Sequence, residues 1–205
     1  MSESDSNRTH RVTGTLPYLS PKYAGYLGLL TILIFTICNV IGAFADEEWV
    51  LFEDNLCVLG VSEVGFVRVL YPFSCTIAGL GFMMFGYSVA KSCDRKLQAY
   101  GYYACIPFGI SFLGIGAITI DFNYDLHMAF VFLLGLSAGI ALGLITVDDI
   151  ILRKWAISIF VILIAIAFAL LFFLNTDYIQ AIVIPAMMAW LVIKCRNLIV
   201  NGSAY

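Results

Sequence analysis

Charged side chains are scarce in this chain: they make up 12% of 205 residues, against 61% hydrophobic ones, and the mean hydropathy is +0.95. That shortage excludes an ordinary soluble globular domain, in which charged residues reach about 25%. Histidine is scarcer still, with two in the whole chain. A catalytic zinc centre needs three or more good ligands, so one histidine outside the N-terminal tail argues against it. No basic footprint exists either. The formal charge is −3 and the pI is near 5.2, which excludes nucleic acid as a partner class. The N-terminal stretch lacks a short apolar core with a small-residue cleavage site, and reads as a retained polar tail over 1–22.

Six cysteines are present, but their placement leaves no external pair. Cys38, Cys75, Cys105 and Cys195 lie in apolar runs and Cys93 in a cytoplasmic loop, so only Cys57 is expected outside. The four in apolar runs read as small apolar fillers. No internal repeat is recognisable, and no charge falls in the middle of an apolar run. Both absences place a channel or transporter behind other readings.

What is present is a series of apolar runs of spanning length. A helix crossing a bilayer needs about 20 mainly apolar residues. Such runs cover 23–45, 66–91, 97–120, 127–147, 151–174 and 178–200. The expected fold is therefore all-α: a polytopic membrane protein with six transmembrane helices, short loops, one domain over 23–200 and a C-terminal tail over 201–205. Pro21 suits a helix start, while Pro72, Pro107 and Pro185 each remove a hydrogen bond within or near a run.

Lysine and arginine set the orientation. Ten of the 11 cations fall on one side of the six-span layout, which predicts a multi-pass protein of the cell membrane with both termini cytoplasmic. The opposite side carries Asp46, Glu47, Glu48, Glu53, Asp54, Glu63, Asp121, Asp125 and Asp177, with Arg68 as its only cation. Within the loop 46–65, Trp49, Phe52, Leu56 and Leu59 recur at helical spacing and predict a short interfacial helix that caps the bundle. An ordered loop anchored by Trp49 is the alternative.

The run 127–147 holds Gly135, Gly139 and Gly143, spaced by four on one helix face, where small residues let a second backbone approach closely. Spans 2, 3 and 4 are all glycine-rich, which predicts a tight centre made of these three. The same glycine face is alternatively the contact with another chain.

The candidate site lies on the acidic side. Glu53, Asp54, Arg68, Asp121 and Asp125 are candidate ligand- or ion-binding residues. Arg68 either pairs with Glu63 or Asp121 or anchors an anionic group such as a lipid phosphate. Asp121, Asp125 and the acids of the first loop are oxygen ligands of the type a hard cation such as calcium takes, although no EF-hand pattern exists. His127 is the candidate catalytic acid or base. With Cys57 on the same side and Asp125 as orienter, it would suit acyl transfer. Asp148 and Asp149 read as surface acids opposite Arg153 and Lys154, with at most one facing inward, because adjacent helix positions diverge by about 100°.

Asn55-Leu56-Cys57-Val58-Leu59-Gly60 before span 2, the glycine-rich spans 2 and 3, the histidine opening span 4 and the six-span layout together resemble a family of small prokaryotic, largely archaeal, membrane proteins known only as a numbered domain of unknown function. The likeness covers about 23–174. Members often carry Ser-Asp-Leu-Gly where this chain has Cys57-Val58-Leu59-Gly60, so Val58 replaces an acid whose role would pass to Asp54 or Glu63. The family is distantly similar to DRAM-type membrane proteins of lipid and membrane homeostasis. The resemblance implies lipid handling, with no established catalytic residues and no cofactor.

Three functions follow as expectations: a lipid-interacting protein with an outward-facing acidic site, a membrane enzyme acting on lipid or lipid-linked substrate through His127, and a structural subunit. Expected partners are membrane lipids, together with a second copy or a partner membrane subunit.

Overall fold

The apolar runs become helices because a backbone in lipid has no water to bond and satisfies itself within the segment. A computed structural model describes residues 17–173 and 179–202, without the side chains of 167–173 and 179. The tail over 1–16, Asp177 and the end of the chain after 202 lie outside the described residues. Among the described residues the structure is all-helical: α1 (Pro21–Ala45), a 3₁₀ turn (Leu56–Val61), α2 (Gly65–Ser92), α3 (Lys96–Tyr103), α4 (Cys105–Ala117), α5 (Tyr124–Ile151), α6 (Trp155–Phe173) and α7 (Ile179–Asn201). Among the described residues, four stretches are long and apolar enough to cross a membrane: Pro21–Ala45, Gly65–Ser92, Tyr124–Ile151 and Gln180–Asn201.

The prolines act unequally. Pro21 takes the first position of α1, where its missing N–H has no partner to lose. Helices α2 and α7 continue through Pro72 and Pro185. At Pro107 the backbone loses the bond to the carbonyl of Tyr103, and the helix is interrupted at Ala104 to give α3 and α4.

Each helix packs on its successor and α7 returns to α1, so the helices close a ring in which α3 and α4 together take one place. The interior is aromatic. Phe35, Phe82, Phe108 and Phe112 meet edge-on or tilted at centroid distances from 5.1 to 5.8 Å, the geometry that the ring quadrupole favours. Glycine sets the closest approaches. A methyl group at Gly79 would sit 2.7 Å from the carbonyl oxygen of Gly109, and one at Gly116 would sit 2.7 Å from Cβ of Cys75.

Two expectations change here. The glycines of α5 take no part in the centre: a methyl group at Gly135, Gly139 or Gly143 would meet nothing within 4 Å. Helix α5 turns Ser137, Ala138, Ala141 and Ile145 inward instead. The loop 46–65 is also not an interfacial helix over Trp49–Leu59. Phe52 adopts φ 74°, a left-handed conformation that stops a helix, and only Leu56–Val61 winds, as a 3₁₀ turn. The predicted stripe is thereby split: Leu59 is buried in the core while Phe52 is 45% exposed.

Candidate functional site

Near their N- and C-terminal ends respectively, α1 and α7 touch through glycine. Gly25 and Gly28 have Cys195 of α7 directly against them, so close that a methyl group on either would overlap it. Towards the other end no glycine draws the two helices together, and a pocket of about 650 Å³ lies between them. Phe35, Val40 and Phe44 form its α1 side, Ile184 and Met188 its α7 side, and Trp49, Leu51 and Leu56 its loop side. That volume lies within the range of small-molecule sites, about 300–1,000 Å³. Phe44 stands at the rim, 88% exposed.

The loop that covers the pocket is held by its own polar groups. The backbone N–H of Val50 donates to Asp54 Oδ2 at 2.8 Å, and the indole N–H of Trp49 donates to the carbonyl of Asn55 at 3.3 Å. Across the pocket the N–H of Leu56 donates to Gln180 Oε1 at 3.1 Å, which ties the loop to the start of α7. Deep in the α1 wall lies Asn39, 7% exposed. Its amide nitrogen donates to the carbonyl of Phe35 at 2.8 Å and to Ser74 Oγ at 3.3 Å, while its Oδ1 is buried without a partner. An unmatched buried oxygen costs about 1–3 kcal/mol. In the facing wall Pro185 has no N–H to give to the carbonyl of Ala181, and both residues line the pocket.

The predicted site residues are dispersed. Asp54 lines the pocket, and Glu53 lies on the exposed turn beside it. Arg68 pairs with Asp121 at 2.5 Å, both side chains about half exposed. The Asp121 carboxyl is held below the ordinary carboxylate value, first by the hydroxyl of Thr119 donating to it and then by the Arg68 guanidinium. Asp125 is exposed in the first turn of α5, where the helix N-terminus favours an acid, and Asn123 caps that helix by accepting from the N–H of Leu126 at 3.0 Å. His127 is buried, 1% exposed, and its Nδ1 donates to the carbonyl of Ile118 at 2.6 Å, which ties α5 to the end of α4. Cys57 is engaged elsewhere: the hydroxyl of Tyr71 donates to its sulfur at 3.4 Å, and burial pushes the thiol up. Among the described residues, no three of histidine, cysteine, aspartate and glutamate gather as a metal would need, so the calcium reading has no assembled ligand set.

At the opposite end of the bundle the structure builds a site the sequence reading missed. Asp148 and Asp149 are both fully buried, not surface acids. Arg95, at the start of α3, reaches Asp148 at 2.7 Å; the ammonium of Lys194 on α7 contacts Asp149, with Lys154 at 3.9 Å from the same carboxylate. Neighbouring positions diverge around α5, but α3 packs on one flank and the α6–α7 side closes the other, so both directions lead inward. Helix α5 ends here in a Schellman turn: Arg153 is left-handed at φ 59°, and the N–H of Lys154 returns to the carbonyl of Asp149 at 2.8 Å. That turn aims Lys154 back at the acid. The signal in the sequence was Lys194, a cation inside the apolar run of α7.

Comparison with protein families, with characterised proteins and with solved structures finds no match for this chain. The likeness carried by Asn55–Gly60, the glycine-rich runs, His127 and the six-run layout therefore rests on the sequence alone.

Proposed function

We propose that this chain is an integral membrane protein of six spans, with both termini cytoplasmic, that binds a membrane lipid in the pocket between α1, α7 and the first external loop. The observation that carries the proposal is a mostly apolar cavity of about 650 Å³ with a highly exposed aromatic rim, on a bundle whose outer surface is apolar. A pocket of that composition suits an acyl or isoprenoid chain, and Asp54 is the charged side chain that lines it among the described residues. Support for the two further spans comes from α3 and α4, which follow one another with only Ala104 between them, and from the apolar α6. Orientation rests on the cations, which cluster at the ends opposite the loop 46–65.

Two experiments test this. A protease-cleavable tag at the N-terminus should be spared in intact spheroplasts of an expressing bacterium and cut in inverted vesicles; the reverse pattern would overturn the orientation. For the pocket, Ala181→Phe places a ring inside the cavity. Native mass spectrometry of the protein released from mild detergent should show a bound lipid in wild type and roughly tenfold less occupancy, or more loss, in the variant. Equal lipid occupancy in a folded variant would remove the pocket from the proposal.

The enzyme reading through His127 has no comparable support, because that ring is sealed in the packing between α4 and α5 and its Nδ1 already holds Ile118.

A further inference from the structure

We propose that the lipid held in this pocket is neutral and presents a hydroxyl hydrogen-bond donor, the chemistry of a long-chain alcohol or a partial acylglycerol, and that an anionic lipid is rejected. The inference rests on the lipid-binding reading above and goes on to name the headgroup. Its starting point is the inventory of polar atoms in the wall. Asn39 Oδ1 is buried and unpartnered; its assignment as oxygen follows from the amide nitrogen, which already donates to Phe35 and Ser74. The carbonyl of Ala181 receives nothing from Pro185 four residues on. Asp54 contributes a carboxylate with one oxygen taken by the N–H of Val50. These are acceptors, on three different elements around one cavity, and the Thr36 hydroxyl and the Gln180 amide nitrogen add uncharged donors to the same lining.

Among the described residues, no lysine, arginine or histidine lines the pocket. A phosphate or a free carboxylate would therefore meet acceptors and a negative charge, with no cation to neutralise it. A hydroxyl group reverses this balance, since it can donate to Asn39 Oδ1 or to the Ala181 carbonyl while its chain fills the space between Phe35, Val40, Ile184 and Met188. Arg68, the cation on this side among the described residues, is already paired with Asp121, so it is not available to hold an anionic head. Gln180 has its oxygen engaged by Leu56, which fixes the cover of the pocket.

The test uses three probes with one dibrominated oleoyl chain and different heads: the monoacylglycerol, the methyl ester and the free acid. Each is titrated into the full-length protein in nanodiscs of saturated phosphatidylcholine. Bromine quenches tryptophan on contact, and Trp49 lies in the pocket wall, so the signal read is the quenching component that Trp49→Phe removes.

Saturable quenching by the monoacylglycerol at a mole fraction roughly five- to tenfold below that of the methyl ester is expected, as one or two net hydrogen bonds would give. The free acid at neutral pH should be weaker still. Asn39→Leu should bring the monoacylglycerol to the level of the ester. Pro185→Ala, which restores an N–H to the Ala181 carbonyl and raises the helix propensity at that position, should narrow the gap even if Asn39→Leu does not fold.

Equal quenching by all three probes, abolished by Ala181→Phe, would overturn the headgroup assignment and leave the pocket standing. Tightest binding by the free acid would overturn it as well, as would a preference unchanged in both Asn39→Leu and Pro185→Ala. Quenching that Ala181→Phe leaves untouched would remove the lipid pocket itself.

Discussion

Lys194→Met is expected to destabilise the folded protein by about 3–5 kcal/mol, the usual consequence of leaving a buried charge without its partner. Asp149 is fully buried, and Lys194, 3% exposed, is the cation in direct contact with it. Lys154 remains at 3.9 Å, yet its side chain is 29% exposed and too distant to hydrogen-bond. The ammonium also stands 5.8 Å from the centroid of the Trp190 ring, so its removal takes away a second favourable contact. Asp149→Leu should be similarly harmful, because the buried ammonium then loses the carboxylate it contacts. The double variant Asp149→Leu/Lys194→Met has no buried charge left at that point and should recover most of the loss. Unfolding midpoints of the four proteins in one detergent measure this. A double variant no more stable than the worse single would show that the pair is not the coupled unit, and singles as stable as wild type would show that the carboxylate is solvated.

This cluster also shows where reading the sequence stops. The helices were legible because a run of about 20 apolar residues needs no tertiary information to be recognised; 127–147 was expected as a helix and α5 covers it. The side of each helix that packs was not legible, since lipid and the bundle interior favour the same apolar side chains. Gly135, Gly139 and Gly143 permit a close approach without requiring one, and α5 buries Ala138 and Ala141 instead. Asp148 and Asp149 were misread for a related reason. Helical periodicity gives the angle between two side chains, while burial depends on how many neighbouring elements surround the helix, and here packing flanks both sides. On the acidic side, the sequence named Asp54 and Arg68 from their charge. The pocket itself is carried by Asn39, Ala181 and Pro185, which are ordinary residues made significant by an unmatched oxygen and a missing N–H.

Gly79→Ala should be costly where Gly139→Ala is not, and the contrast separates packing inside the ring from the outward glycine face. At Gly79 a methyl group would lie 2.7 Å from the carbonyl oxygen of Gly109 and equally close to Leu113 Cγ. The carbonyl is backbone within α4 and has no rotamer to move to, so α2 and α4 must separate. Overpacking of this kind costs about 1–3 kcal/mol. It also acts on the edge contacts among Phe82, Phe108 and Phe112, which depend on the same spacing. At Gly139 nothing lies within 4 Å, and alanine exceeds glycine in helix propensity by about 1 kcal/mol, so the change should be neutral or slightly stabilising. Midpoints of thermal unfolding, read together with the oligomeric state by light scattering in the same detergent, provide the comparison. If Gly139→Leu were as harmful as Gly79→Ala, or converted a dimer into monomers, the face of Gly135, Gly139 and Gly143 would be the contact with a second chain. If it is tolerated with no change of mass, that face meets lipid, and the ring closed by α7 on α1 is the complete packing unit.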